Sequence, residues 1–153
     1  MTHMNCPETW RSELSKNDIN DSFIVIGVSH SKTGMAKYSS VAAYDWPKLA
    51  PVGDITDWQL ENSAAYYLGD QNPATKYLYA VKFARVCRNP EELCVEIPAS
   101  SNDPEISALS YDSPVIFIER CYLNPLTNSG PAVSETILPI LLHTRSSHYM
   151  EII

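Results

Sequence analysis

The stretch Val115–Pro139, VIFIERCYLNPLTNSGPAVSETILP, decides how the fold of this chain is interpreted. Two apolar runs flank a turn-rich segment, and both runs carry charge. Glu119 and Arg120 lie in the first run, and Glu135 lies in the second. Charged residues are unusual in strands that are apolar on both faces, so these three are either paired, exposed at a sheet edge, or directed into a ligand pocket.

A similar pattern occurs twice in the second half of the chain. Alternation predicts a strand over 77–87, a turn at RNPEE and a short return strand at LCVEIP. The later copy predicts a strand over 115–123, a loop at NPLTNSG and a return strand over 131–138. The two copies are either a duplicated hairpin or a chance similarity. A duplicated hairpin favours an α+β fold with a single antiparallel β-sheet and short peripheral helices.

The first half of the chain gives weaker signals. Short helices are predicted over 7–16 and within 56–69, and Phe23–Val28 is predicted to be a buried strand. Residues 31–40 are predicted to form a polar loop or a flap. A further short helix is predicted over 103–110, because Asp103 and Pro104 suit its first turn.

The alternation of strand residues assigns the charges to faces. Glu119 and Arg120 fall on opposite faces, and Arg85 lies at the end of an aromatic-rich face that includes Tyr79. Glu135 is predicted to lie among β-branched neighbours, where a buried carboxylate needs a partner. Either Arg120 or Arg85 could be that partner. The alternative is a plain salt bridge between strands or a solvent-facing pair.

Composition excludes several classes of function. The chain has 153 residues, which predicts a single domain over 1–153, and its net charge is −7. No cluster of Lys or Arg occurs, which argues against binding to nucleic acid or to anionic membranes. No apolar run reaches roughly 18 residues, the length needed for a spanning helix. With no apolar leader at the N-terminus, a cytoplasmic location is predicted, with all four cysteines as free thiols.

Motif searches add few candidates. His30 follows a strand and enters the 31–40 loop, so it is either a flap residue or simply solvated. Aromatic residues of the first half could line a pocket or belong to the core: Tyr44, Trp46, Trp58 and Tyr66. The spacing of His143 and His148 does not favour a metal site, and no metal or cofactor is predicted.

The segment SPVIFIERCYLNPLTNSGPAVSETILPILL resembles the C-terminal hairpin of chorismate pyruvate-lyases and of the related UTRA effector-binding domains. KYLYAVKFARVCRNPEELCVEIP resembles the internal hairpin of the same fold. The resemblance covers about half of the chain, roughly 76–142. The matching positions are Pro114, Val115, Arg120, Gly130, Pro131, Glu135, Leu138 and Pro139.

The resemblance implies an internal ligand pocket closed by flap loops. It implies a cofactor-independent enzyme that acts on a compact carboxylated or oxygenated ring, either a lyase or a related cyclase or isomerase of a biosynthetic pathway. The alternative is a non-catalytic, UTRA-like domain that binds a small molecule. The predicted oligomeric state is a monomer or a homodimer. Its expected catalytic residues are Glu135, Arg120 and Arg85, and its expected substrate-binding residues are Lys82, Tyr79, Tyr122, His30 and Trp46.

Overall fold

The computed structural model describes residues 5–12, 21–46, 48–100, 107–111, 113–123, 131–144 and 150–152, with the backbone alone at 5–12, 133 and 150–152. In these ranges the chain is mostly strand, with two four-residue helices. The strands are β1 (Asn5–Ser12), β2 (Ser22–Val28), β3 (Tyr38–Asp45), β4 (Ala50–Thr56), β5 (Leu78–Ala84), β6 (Cys94–Glu96), β7 (Val115–Tyr122), β8 (Ile140–Thr144) and β9 (Met150–Ile152). The helices are α1 (Asp57–Leu60) and α2 (Ala65–Leu68). The coarse α+β class is therefore confirmed.

The strands form two sheets instead of the single sheet predicted. The first has the order β1-β7-β3-β4, and all of its neighbouring strands are antiparallel. The second has the order β6-β5-β2-β8-β9, in which only β5 and β6 run parallel. The apolar runs of β2 and β7 suit their positions, because each has a partner strand on both sides.

Aromatic side chains from both sheets meet in the core. The Phe117 ring of β7 lies 5.2 Å from the Phe23 ring and 5.1 Å from the Phe83 ring. All three side chains are fully buried. Burial of each such side chain contributes about 1.5–3 kcal/mol. Core side chains therefore fill the interior between the sheets. The internal ligand pocket that the resemblance implies stays a prediction.

The predicted duplicated hairpin is wrong. β6 runs parallel to β5, so the segment between them is a crossover and not a hairpin turn. β7 pairs with β1 and β3, which satisfies its backbone on both edges. The expected return strand over 131–138 is absent there, and Val133–Glu135 forms a single 3-10 turn. The NPLTNSG loop lies outside the described residues. Local sequence similarity did not show that the true partners of β7 are far away in the chain.

Two predictions for helices also need correction. The helix predicted over 7–16 is wrong, because Asn5–Ser12 is a strand paired with β7. The helix predicted within 56–69 divides into α1 and α2 at Asn62, whose φ of 61° lies in the left-handed region. Its predicted ends are confirmed, because Thr56 caps α1 and Gly69 ends α2. The helix predicted over 103–110 lies mainly outside the described residues, and 107–110 is not helical.

The prediction that all cysteines are free thiols is wrong. Cys87 and Cys94 form a disulfide with a Cα–Cα distance of 5.8 Å. The crossover from β5 to the parallel strand β6 brings the two residues to this separation, which a disulfide can span. Cys121 of β7 is buried and takes no part in this disulfide. The disulfide closes a small loop, residues 87–94, that forms part of the candidate site.

Candidate functional site

The structure places Glu135 at the surface. It ends the 3-10 turn of 133–135, its side chain is exposed, and its Oε2 accepts a hydrogen bond of 3.3 Å from the Ala132 N–H. The predicted burial among β-branched neighbours is therefore wrong. Among the described residues Glu135 makes no ion pair with Arg120 or Arg85, so the predicted partner is not found on either strand.

Arg85 is buried and bound to the backbone. Its Nη1 donates to the carbonyl oxygens of Leu109 at 2.6 Å and of Ile97 and Pro98 at 3.2 Å, and its Nη2 donates to Ser110 at 3.4 Å. The guanidinium also lies 5.0 Å from the centre of the Tyr111 ring. Burial lowers the pKa of Arg85, while Tyr111 and Asp21 oppose this change. These contacts give the guanidinium a structural role, and a catalytic role stays a prediction.

Arg120 and Tyr122 lie on the outer face of β7. The Arg120 guanidinium is 5.1 Å from the centre of the Tyr44 ring, and the Tyr122 ring is 5.0 Å from the Tyr38 ring. Glu119, by contrast, points inward and is 2% exposed. The predicted separation of residues 119 and 120 onto opposite faces is therefore confirmed.

A buried hydrogen bond joins the two sheets. The phenol of Tyr79 on β5 donates to Glu119 Oε1 on β7 at 2.9 Å, and both side chains are buried. The Tyr79 ring lies directly over Gly27, where an added Cβ would come within 2.5 Å of the phenol oxygen. Tyr79 is thus a core residue, and its predicted contact with a substrate stays a prediction.

The other predicted binding residues are dispersed. Lys82 is partly exposed and forms an ion pair of 3.1 Å with Glu92. Trp46 follows β3, is half-buried, and donates its backbone N–H to Pro114 at 2.9 Å.

His30 lies in the turn after β2 and is 2% exposed. Neither of its ring nitrogens makes a hydrogen bond of normal geometry within the described part of the chain. Burial lowers the pKa of His30, and the nearby backbone of Ile137 opposes that change in part. His30 is therefore a neutral, enclosed side chain near neutral pH.

An open groove of about 920 Å³ lies elsewhere on the molecule. One wall is the segment 59–70, which contains α2, and the other is the disulfide-closed loop 87–94. None of the eight residues predicted for the site lines this groove. The lining residues are Gln59, Glu61, Asn62, Ser63, Ala65, Tyr66, Asp70, Cys87, Arg88, Asn89, Pro90, Glu91, Glu92, Leu93 and Cys94.

Side chains hold the two walls of the groove together. Asn89 Nδ2 donates to the Tyr66 phenol oxygen at 2.8 Å, and the Tyr67 phenol donates to Glu92 in a short hydrogen bond. Glu92 also pairs with Lys82 at 3.1 Å, which ties the loop to β5. Burial is the main cause that raises the pKa of Tyr67, and the hydrogen bond to Glu92 and its charge raise the pKa further. The Tyr67 phenol therefore stays protonated and remains a donor to Glu92.

The lining of the groove is polar and acidic. Two of its carboxylates have ion-pair partners, since Glu61 lies 2.6 Å from Lys32 and Glu92 pairs with Lys82. In the part of the chain that the structure describes, Asp70 and Glu91 make no side-chain ion pair. The groove can therefore accept hydrogen bonds from a ligand more readily than it can bind an anionic ligand beside its own carboxylates.

A further polar pair was missed because its members are far apart in the sequence. His143 Nε2 lies 2.6 Å from Asp21 Oδ1, both residues are buried, and 122 residues separate them. His143 also stacks on Phe23 at 4.3 Å. The pair lies next to two core strands and is not part of the groove lining, so it is a structural contact of the second sheet.

Of the groove residues, Tyr66 was one of four aromatics that the sequence left open as lining a pocket or belonging to the core. Asp70 and Glu91 gave no signal, since single acidic residues in loops are most often only solvated. None of the helices in the described ranges has the length and apolar character needed to cross a membrane. No family model, no curated protein and no solved structure matches the chain.

Proposed function

We propose that this protein is a non-catalytic domain that binds a small molecule in the groove between 59–70 and 87–94. One observation carries the proposal: two chain segments, joined by side-chain hydrogen bonds and one of them closed by a disulfide, border an open polar groove of about 920 Å³. That volume lies in the range of small-molecule sites. A site that is already held in shape loses less entropy when its ligand binds.

The lyase, cyclase or isomerase activity implied by the resemblance is the less favoured proposal. It needs an arginine free to hold a carboxylate and a glutamate inside a pocket. Arg85 instead donates to four backbone carbonyls, and Glu135 is exposed. Incubation with chorismate tests this directly, and we expect no release of pyruvate. Steady release of pyruvate by the wild type, abolished in Glu135→Gln, would replace the binding proposal.

The disulfide also bears on the proposed compartment. Disulfides persist in oxidising environments and are rare in the cytosol of most organisms. The bond between Cys87 and Cys94 therefore supports an oxidising compartment over the predicted cytoplasmic location.

Binding at the groove is tested with two tyrosine variants. A small-molecule library is screened against the wild type by ligand-detected NMR, and the binders are titrated against each variant. We expect Tyr66→Ala to weaken binding about fivefold, since loss of an aromatic contact of about 1 kcal/mol has that effect. The matched control is Tyr122→Ala, which removes a partly exposed ring on β7 outside the groove.

Two results would contradict the proposal. One is a set of binders that lose affinity in Tyr122→Ala and keep it in Tyr66→Ala. The other is a library screen without binders at millimolar concentrations.

A further inference from the structure

We infer that the ligand of the groove is rich in hydrogen-bond donors: a polyhydroxylated ring, with or without an amino group, in preference to a carboxylate. This inference rests on the proposed binding function and adds the chemical class of the ligand. It follows from which lining groups are already engaged and which remain available.

Most polar groups of the lining already have partners within the protein. Gln59 Oε1 accepts from the backbone N–H and hydroxyl of Thr56, and Asn89 uses both ends of its amide. The Ser63 hydroxyl donates to a backbone carbonyl at 2.7 Å and accepts the Ala80 N–H at 3.0 Å. Glu61 and Glu92 are bound to lysines. These groups shape the groove and leave little capacity for a ligand.

Of the three groups that remain, two are carboxylates and the third is an amide that both donates and accepts. Across the described ranges, the side chains of Asp70, Glu91 and Asn62 have no hydrogen-bond partner. An ionised carboxylate accepts hydrogen bonds and donates none, so Asp70 and Glu91 require donors from the ligand. Hydroxyl and ammonium groups supply such donors. A carboxylate on the ligand would instead meet like charges.

Tyr66 supplies a surface for the apolar face of a ring. Its ring is 44% exposed and lines the groove. The phenol oxygen is held by Asn89 at 2.8 Å, and the edge contact with the Tyr67 ring, at 4.8 Å and 90°, fixes the ring plane. A rigid aromatic ring contributes contact area at low entropic cost, and it attracts a cation placed over its face.

Positive charge is scarce around these groups. Arg88 is the single basic residue of the lining, and Lys32 and Lys82 are engaged with Glu61 and Glu92. An anionic ligand would therefore meet a lining with one basic residue and with two carboxylates, Asp70 and Glu91, that have no ion-pair partner among the described residues. This balance favours neutral and cationic rings over anionic ones.

The test uses sugars that share one ring and differ in charge. Glucosamine, glucose and glucuronate, and the corresponding galactose series, are titrated while the backbone amides of 59–70 and 87–94 are followed by NMR. In at least one series we expect the amino sugar to bind tightest and the uronate weakest. The expected span between these two is about threefold or more, the size of one or two exposed charge contacts.

Matched variants test whether the groove causes this order of sugar affinities. Asp70→Asn combined with Glu91→Gln removes two charges from the groove with little change in shape, and should abolish the advantage of the amino sugar over the uronate. Asp54→Asn removes the charge of an exposed carboxylate on β4 outside the groove and should leave that advantage unchanged.

A uronate that binds as tightly as the amino sugar would overturn the inference. The inference would also be overturned if the groove amides respond to binders from the library and to none of the sugars. In that case the proposed site itself would stand. If library binders act elsewhere on the molecule, the proposed function fails as well.

Discussion

Arg85 determines how the end of the second sheet is held. Its guanidinium donates hydrogen bonds to four backbone carbonyls that water would otherwise satisfy. These bonds connect the end of β5 to the segments at 97–98 and 109–110. Alternation along the strand correctly assigned its position at the end of an aromatic-rich face. It did not show that the charge binds backbone, because the carbonyls come from residues 12 to 25 positions later in the chain.

Loss of the Arg85 guanidinium should be costly to stability. Hydrogen bonds to charged groups contribute about 1.5–3 kcal/mol, and their removal leaves buried carbonyls without donors. We therefore expect Arg85→Met to lower the free energy of unfolding by about 3 kcal/mol. We expect Arg85→Lys to lower it by about 1–2 kcal/mol, because one ammonium replaces only some of the bonds. Urea denaturation measures both values.

Arg120→Lys is the matched control, since Arg120 lies on the outer face of β7 against an aromatic ring. It should change the free energy of unfolding by about 0.5 kcal/mol or less. An equal loss in Arg120→Lys and Arg85→Lys would contradict the structural role given to Arg85.

His30 should make stability depend on pH. Its folded-state pKa is lowered by burial from an ordinary value of 6.5, so near that pH the unfolded chain binds more protons than the folded one. The free energy of unfolding should therefore be highest above pH 6.5 and fall as the pH drops from there toward the folded-state pKa. In His30→Leu, which has no titrating ring, this part of the fall should disappear. Denaturation at a series of pH values compares the two proteins.

The comparison separates His30 from the other buried histidine. The contact between Asp21 and His143 is the same in both proteins, so its contribution to stability cancels in the difference between the two curves. Parallel curves for wild type and His30→Leu would show that His30 is not an enclosed neutral side chain.

At the scale of elements, the parallel pairing of β5 and β6 has the greatest consequence. It turns 87–94 from a hairpin turn into a crossover loop, brings Cys87 to Cys94 and builds one wall of the groove. The individual strands β2, β5 and β7 were predicted from alternation and apolar runs, because these patterns are local. The pairing of β7 with β1 and β3 depends on residues far away in the chain, and no local pattern encodes it.

The disulfide gives a direct test of this element. Trypsin cleaves after Arg88, so a non-reducing digest of the unfolded chain should yield the peptide ending at Arg88 linked to the peptide that begins at Asn89. The double variant Cys87→Ser, Cys94→Ser should lower the free energy of unfolding by about 2 kcal/mol, because an open loop has more freedom in the unfolded chain. Unlinked peptides from protein kept under oxidising conditions would contradict the crossover geometry.

At the scale of the molecule, the groove lies beside the core, and Leu93 belongs to the groove lining while packing against the core. Aromatic residues of both sheets fill the interior, and the groove lies outside that core, between α2 and the crossover loop. The coarse α+β class followed from the predicted strands and short helices. The site did not, because its polar residues come from two loops that only the tertiary fold brings together. Glu135, Arg85 and Arg120, which the resemblance to the lyases names as site residues, lie outside the groove lining.

The most direct test is to locate the backbone amides whose chemical shifts change when a small molecule binds. Nitrogen–proton NMR spectra of the oxidised wild-type protein are recorded with and without the tightest library binder. We expect the largest chemical-shift changes within 59–70 and 87–94. Changes centred instead on His30, Trp46 and Tyr122, with the groove amides unmoved, would contradict the proposed binding in the groove.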